Sequence, residues 1–163
     1  MTDRFPQFET HDLEGKDVQV PGELTGDPNL VILAFQQEHQ QVIESWMPSI
    51  RKLEADNPTM ESWVVTLVPR KYKWVYGTIV SRIKGGITDP NLRRHTLTAC
   101  LDLKPPQSES GPPSAEQIGP YVLDRSGSIQ AYEAGSFTEE KLARIAAAVR
   151  ASNPAGADTG AGS

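Results

Sequence analysis

The stretch at residues 29–48, NLVILAFQQEHQQVIESWMP, constrains the fold more than any other, because its hydrophobic pattern changes partway along. Residues 30–35 form a continuous apolar run of strand length, which is typical of a strand buried on both faces. Beyond the polar residues 36–41, apolar side chains recur at helical spacing as far as Leu53. We therefore predict a buried strand that leads through a short polar loop into an amphipathic helix ending near Ala55.

The next apolar run predicts a second strand parallel to the first. Residues 61–68, ESWVVTLV, are rich in β-branched and aromatic side chains. The helix between the two runs is long enough for the crossover that parallel strands require. Upstream, residues 5–20 predict an extended arm and a hairpin whose turn is DLEGK at 12–16. The chain is thus expected to begin with a hairpin followed by a βαβ unit.

The remaining elements predict an inserted helix, a further strand and a second hairpin. Residues 72–84 show helical spacing before two glycines, and residues 95–102 alternate as a strand does. Residues 104–117 contain four prolines and no large apolar side chain, which favours an irregular surface loop. The sequence DRSG at 124–127 predicts a hairpin turn, and SFTE at 136–139 fits a capping box that opens the last helix.

Length and composition predict one domain followed by a tail. We assign residues 1–151 of the 163 to a single domain and residues 152–163, which have nothing to bury, to a disordered tail. The single cysteine, Cys100, excludes an intramolecular disulfide and any multi-cysteine zinc site. The start of the chain lacks the apolar run of a signal peptide, and no segment approaches the roughly 18 apolar residues of a membrane span. We expect a cytoplasmic protein.

Charge is spread unevenly along the chain. Residues 69–95 carry seven basic groups and one acidic group, whereas residues 1–68 carry 12 acidic and four basic groups. Such an island can mark a surface that contacts nucleic acid, anionic lipid or an acidic protein, although a solvated helix face would carry the same charges. Basic residues interleaved with an aromatic suit an interfacial helix or a protein-docking face, and they equally suit snorkelled packing over the sheet. The residues concerned are Arg70, Lys71, Lys73 and Trp74.

The polar loop before the first long helix is the other candidate site. A helix N-terminus offers unpaired backbone N–H groups and the positive end of the helix dipole. The residues at that point are Glu38, His39, Gln40 and Gln41. His39 would serve as a base, a metal ligand or a partner contact, and an exposed loop histidine is the simpler interpretation. The three histidines are too scattered for metal-ligand spacing, and no phosphate-binding loop occurs, so we expect no metal and no cofactor.

The order of these elements resembles the thioredoxin-like superfamily, whose fold is a three-layer α/β/α sandwich around a central mixed sheet. Phe35 ends the central strand as the phenylalanine of the superfamily's F-W-x-x-W-C-x-x-C motif does, which places the two motif cysteines at Gln40 and Ile43. In thioredoxins a proline lies five residues after the second cysteine, and Pro48 lies five residues after Ile43. The resemblance therefore implies an α/β fold with an N-terminal hairpin and an inserted helix.

Two later segments are similar to superfamily motifs. Residues 118–121, IGPY, resemble the segment that carries a cis-proline facing the motif loop, which implies a cis bond between Gly119 and Pro120 beside Gln40. Residues 124–129, DRSGSI, resemble the D-x-x-G-x-I hairpin.

Within the superfamily, several short segments resemble the mitochondrial ATP-synthase assembly factor family. They are QV at 41–42, SWMP at 45–48, RIKGGITD at 82–89 and RRHT at 93–96. Members of that family are cysteine-poor thioredoxin-like proteins, implied to act by binding an unassembled membrane subunit.

The residues at the motif positions predict a binding function without redox chemistry. A thiol–disulfide enzyme needs a reactive thiolate with a second sulfur in reach, and Gln40 and Ile43 supply neither. We predict an assembly factor or chaperone whose partner is another protein or an anionic membrane surface, and not a nucleic acid. The alternative is a peroxiredoxin or oxidoreductase relative with non-standard chemistry, or one that uses Cys100. The predicted binding residues are Glu38, His39, Gln40, Gln41, Gly119, Pro120, Arg70, Lys71, Lys73 and Trp74.

Overall fold

Seven strands pair into one mixed sheet. The computed structural model of the chain describes residues 4–34, 40–87, 95–101 and 118–152. The strands are β1 (Phe8–Asp12), β2 (Asp17–Val20), β3 (Asn29–Ala34), β4 (Glu61–Val68), β5 (Thr96–Cys100), β6 (Pro120–Leu123) and β7 (Ile129–Tyr132). Their order across the sheet is β2-β1-β5-β4-β3-β6-β7. Strands β3, β4 and β5 run parallel, and β1, β2, β6 and β7 pair antiparallel with their neighbours. Both predicted hairpins and the βαβ unit are confirmed.

The helices lie close to their predicted positions, and the largest difference concerns the inserted helix. Helix α1 (Gln40–Asp56) contains Pro48 as expected, and the last helix is α3 (Glu139–Ser152). Helix α2 (Tyr76–Gly86) is preceded by a 3₁₀ helix, Arg70–Val75, although the sequence predicts one α-helix from residue 72. Tyr72 has non-helical backbone angles (φ −104°, ψ 18°), so the chain passes from β4 into α2 through a separate tight turn.

The start of α3 differs from the predicted capping box. The backbone N–H of Lys141 donates to Thr138 Oγ1 at 3.2 Å, so Thr138 caps the helix rather than Ser136. A cap side chain accepts from the N–H two or three residues further on. For a cap at Ser136, those N–H groups would belong to Thr138 and Glu139, and the helix begins only at Glu139.

The buried side chains form two clusters, one on each face of the sheet. Because side chains alternate along a strand, Leu30 and Ile32 of β3 point to one face, and Val31 and Leu33 point to the other. Helices α1 and α3 cover the first face, and α1 contributes Val42, Ile43, Trp46, Ile50 and Leu53. On the second face, Phe5 of the N-terminal arm packs edge-on against Tyr121 with ring centroids 5.1 Å apart.

Some predictions fall outside the described residues. These are the strand end at Phe35, the loop at 104–117 and the tail from residue 153. Ser152, predicted as the first residue of the tail, is instead the last residue of α3. The disordered tail stays a prediction.

Gly119 lies where the chain entering β6 runs beside the chain leaving β7. A Cβ atom at Gly119 would lie only 1.8 Å from the carbonyl oxygen of Glu133. Two backbone hydrogen bonds hold the segments together: the N–H of Glu133 donates to the carbonyl oxygen of Pro120 at 3.3 Å, and that of Gly135 donates to the carbonyl oxygen of Ile118 at 2.7 Å. Only glycine permits so close an approach.

The carboxylate of Asp124 closes the turn between β6 and β7. Its Oδ1 accepts from the backbone N–H groups of Ser126 and Ser128 at 2.9 and 3.0 Å and from the Ser126 hydroxyl at 2.7 Å. Gly127 supplies the positive φ of 87° that the turn requires. Partial burial acts to raise the pKa of Asp124, but the hydrogen bonds outweigh it and hold that pKa below its ordinary value.

We expect Gly119→Ala to lower the free energy of unfolding by about 1–3 kcal/mol, the usual cost of overpacking. The matched control is Gly77→Ala in α2, where an added Cβ would meet nothing within 4 Å. The free energy of unfolding of Gly77→Ala should equal that of the wild type or exceed it by up to about 1 kcal/mol, because alanine is a better helix former than glycine. Denaturant unfolding of both variants measures the difference, and equal stability of the two would contradict the close approach at Gly119.

We expect Asp124→Asn to reduce stability at neutral pH, because an amide accepts weaker hydrogen bonds than a carboxylate. The folded-state pKa of Asp124 is lowered. Its contribution is therefore present above the unfolded value of about 3.9 and is lost as the pH falls through the folded value. Unfolding experiments at pH 7 and at about pH 3 should show the difference between wild type and variant shrinking at the lower pH. A difference independent of pH would show that the turn does not depend on the charge.

Candidate functional site

One edge of the sheet gathers most of the sequence-predicted site residues. The carboxyl ends of the parallel strands β3, β4 and β5 meet at this edge, and antiparallel β6 begins there. Helix α1 starts after β3, the 3₁₀ helix starts after β4, and Cys100 ends β5. In open α/β sheets this edge is the usual place for a binding site. Segments far apart in sequence thus meet the same edge of the sheet.

The start of α1 offers amide groups and no sulfur. Gln40 and Gln41 are exposed at the first turn, whereas Ile43 is buried within the core cluster. Glu38 and His39 lie outside the described residues. At the two positions that the resemblance gives to cysteines, the structure therefore has an exposed amide and a buried aliphatic side chain.

The Gly119 and Pro120 segment lies beside the central strand. Pro120 pairs with Ile32 of β3, and Ile118 shares a buried cluster with Val42 near the start of α1. Both Gly119 and Pro120 are buried, so they support the exposed residues at this edge of the sheet without being exposed themselves. The cis peptide bonds of the described residues precede Pro21 and Pro28. The bond between Gly119 and Pro120 is trans, and the predicted cis bond is wrong.

The 3₁₀ helix presents the basic residues around an exposed aromatic ring. Arg70, Lys71 and Lys73 are exposed, and Trp74 is 82% exposed. The ammonium group of Lys71 lies 5.2 Å from the ring centroid of Tyr72, a cation–π contact. Neither the 3₁₀ helix nor α2 contributes a buried side chain. The Trp74 ring therefore does not pack over the sheet, in contrast to Trp46 and Trp63 in the core.

A cleft of about 360 Å³ lies between α2 and the turn of the first hairpin. The hydroxyls of Tyr76 and Thr98, both lining residues, are 2.9 Å apart. Burial raises the pKa of Tyr76, an effect that the hydrogen bond with Thr98 offsets only in part. The phenol is thus protonated at neutral pH. Among the described residues that line the cleft, none forms a nucleophile–base pair.

Cys100 lies beside this region, with no second cysteine to form a disulfide. It is partly exposed, and its Sγ is 3.9 Å from the carbonyl oxygen of Pro69. The sequence contains no second cysteine. Disulfide exchange within the chain is therefore excluded.

One cluster was not found from the sequence. Glu9, His11 and Asp17 lie on the outer face of the first hairpin, the face that points away from the core residues Phe8 and Val18. His11 also lines the cleft beside α2, and its Nδ1 is 2.7 Å from Asp17 Oδ1. Glu9 and His11 are two residues apart on a strand, and Asp17 follows the predicted turn. Pairing the hairpin residue by residue would have brought the three together.

Among the described residues, no helix has both the length and the apolar content needed to cross a bilayer. No family model and no curated protein matches the chain.

Solved structures with the same architecture do match. BsSco, a member of the Sco family of cytochrome c oxidase assembly proteins, is 13% identical, with a TM-score of 0.61 over 94% of this chain and 95% of that chain. A SCO1/SenC family lipoprotein from Bacillus anthracis is 12% identical, with a TM-score of 0.59 over 93% and 95%. A thio-disulfide isomerase from Thermus thermophilus is 17% identical, with a TM-score of 0.54 over 91% and 95%. These likenesses show the fold, which is thioredoxin-like, as predicted.

Proposed function

We propose that this chain is a redox-inactive thioredoxin-like binding module that docks an acidic surface of another protein. The observation that supports this most directly is Trp74, which is 82% exposed in a segment with three basic residues. Leaving a tryptophan in water forgoes the burial of a large apolar side chain. Tryptophan is also among the residue types that anchor protein interfaces.

The surface around Trp74 suits a folded acidic partner better than a membrane. A helix that lies in a membrane interface buries a broad apolar face among the lipids. In α2 the apolar residues Ile79, Val80 and Ile83 are half-buried. Tyr72 and Trp74 are the large apolar side chains that the described chain leaves exposed. The exposed apolar area is therefore small and rimmed by charge, as at a protein interface.

The start of α1 would form the uncharged part of the same docking surface. Gln40 and Gln41 are exposed at the sheet edge from which the 3₁₀ helix also begins. Amide side chains both donate and accept hydrogen bonds, so they suit contacts to a partner's backbone. The lack of sulfur at Gln40 and Ile43 supports a role without redox chemistry. The proposal includes Glu38 and His39, which lie outside the described residues.

The broader role that we propose is that of an assembly factor or chaperone. The structural neighbour BsSco is a member of the Sco family of cytochrome c oxidase assembly proteins. The narrower resemblance to mitochondrial ATP-synthase assembly factors points to the same kind of role and stays a hypothesis, as does the cytoplasmic location. The alternative is a peroxiredoxin or oxidoreductase relative with non-standard chemistry, or one that uses Cys100, and the lack of a second cysteine argues against disulfide exchange.

We expect the purified protein to reduce no disulfides and to consume no hydrogen peroxide, because the motif positions carry Gln40 and Ile43. Insulin reduction and peroxide consumption are the assays, with Cys100→Ser as the matched variant. Activity in the wild type that disappears in Cys100→Ser would establish the enzyme alternative and refute the proposal.

We expect charge and apolar variants to change different binding rates. A partner is first captured from the native host by the wild-type protein, and its association is then measured at two salt concentrations. Lys71→Glu with Lys73→Glu should mainly slow association, and the wild-type rate should fall as salt rises. Trp74→Ala should mainly speed dissociation. Lys52→Glu reverses another exposed lysine, on α1, and should change neither rate.

Stability measurements separate binding effects from folding effects. Trp74→Ala should change the free energy of unfolding by less than about 0.5 kcal/mol, as for other surface substitutions. Trp46→Ala, at a fully buried position, should cost about 3–5 kcal/mol. Unchanged binding rates in both surface variants, or binding to anionic vesicles in place of the captured protein, would refute the acidic-protein proposal.

A further inference from the structure

The outer face of the first hairpin brings together one imidazole and two carboxylates. Pairing of β1 with β2 sets His11 opposite Asp17 and Glu9 opposite Gln19. Side chains two residues apart on a strand share a face, and residues directly opposite share the same face. The potential ligand atoms of Glu9, His11 and Asp17 all lie within 4.8 Å of one another.

No lysine or arginine of the described residues forms an ion pair with the two carboxylates of this cluster. The ion pair within the cluster is that of Asp17 with His11, at 2.7 Å between Oδ1 and Nδ1. Glu9 Oε2 accepts a hydrogen bond from the Gln19 side chain at 3.0 Å. Two neighbouring carboxylates repel each other, and a divalent cation between them would remove that repulsion.

The hairpin beneath the cluster is held in place by its inner face. Phe8, Val18 and Val20 are buried in the core, and the Thr10 hydroxyl donates to the carbonyl oxygen of Val18 at 2.8 Å. The backbone that carries the three ligands is therefore fixed. Their side chains are more mobile, because those of His11 and Asp17 are 44% and 69% exposed. Ligands of a four-coordinate zinc lie roughly 3–3.5 Å apart, which small rotations of exposed side chains can reach.

We propose that Glu9, His11 and Asp17 form a surface site for a divalent transition metal ion of the Zn²⁺ and Cu²⁺ class. One imidazole nitrogen with two carboxylate oxygens suits these ions, whereas Mg²⁺ and Ca²⁺ prefer oxygen ligands alone. Three protein ligands leave further coordination positions open to water or to a group from another molecule. Histidine spacing in the sequence gives no sign of this site, because strand pairing and not sequence proximity assembles it.

The test is a calorimetric titration of the full chain with Zn²⁺ and with Cu²⁺ in a buffer that does not chelate metals. We expect saturable binding of one ion, tighter for Cu²⁺ than for Zn²⁺, and no competition from a tenfold excess of Mg²⁺. The variants Glu9→Gln, His11→Ala and Asp17→Asn should each weaken Zn²⁺ binding by about tenfold or more. Glu44→Gln removes an exposed carboxylate on α1 and should leave the affinity unchanged.

Two further measurements locate the ion and verify the fold. Mn²⁺ should broaden the backbone amide signals of β1 and β2 before those of α1. Melting temperatures in EDTA should match the wild type for Glu9→Gln and Asp17→Asn, which keep the shape of the side chain. The proposal is overturned if the wild type binds neither Zn²⁺ nor Cu²⁺ saturably, or if the hairpin variants bind as tightly as the wild type, since the ion would then lie elsewhere.

Discussion

Burial of β3 on every side is the constraint on which the rest of the structure depends. All six of its residues are buried, and it pairs with β4 on one side and β6 on the other. Its backbone groups must therefore find all their partners within the protein. At its start, the buried side-chain oxygen of Asn29 accepts from the Gly26 N–H at 2.8 Å and from the Trp63 indole at 2.9 Å. This amide joins the entry loop, β3 and β4, and an unpaired buried group there would cost about 1–3 kcal/mol.

The fold was predictable wherever the spacing of apolar residues in the sequence determines the secondary structure. The change from a continuous apolar run to helical spacing defines β3 and α1, and local turn residues define both hairpins. The helix boundaries that were predicted wrongly depend on local backbone angles and on which residue caps the helix. Thr138 rather than Ser136 caps α3, and Tyr72 divides one predicted helix into a 3₁₀ turn and an α-helix. The trans bond before Pro120 shows that the superfamily resemblance does not extend to every detail.

The candidate surfaces were predictable only in part, for a geometric reason. Gln40, Trp74 and Pro120 are separated by long stretches of sequence, yet the parallel strands bring them to one edge of the sheet. The superfamily resemblance, and not the residue pattern alone, placed Pro120 near Gln40. The hairpin cluster around His11 was missed because it depends on the register between β1 and β2. A search by sequence spacing cannot find ligands that meet only across a strand pair.

The absence of buried side chains in the 3₁₀ helix and α2 has a consequence for local stability. Segments with few buried contacts open at a lower free energy than the core, and their amide protons exchange sooner. The surface that carries Trp74 would therefore unfold locally while β3 and its neighbours stay intact. A partner that binds the closed form at Trp74 would stabilise that form. Amide exchange would then slow in α2 as well, beyond the residues that the partner contacts. Hydrogen exchange in α2 thus reports occupancy of the neighbouring surface.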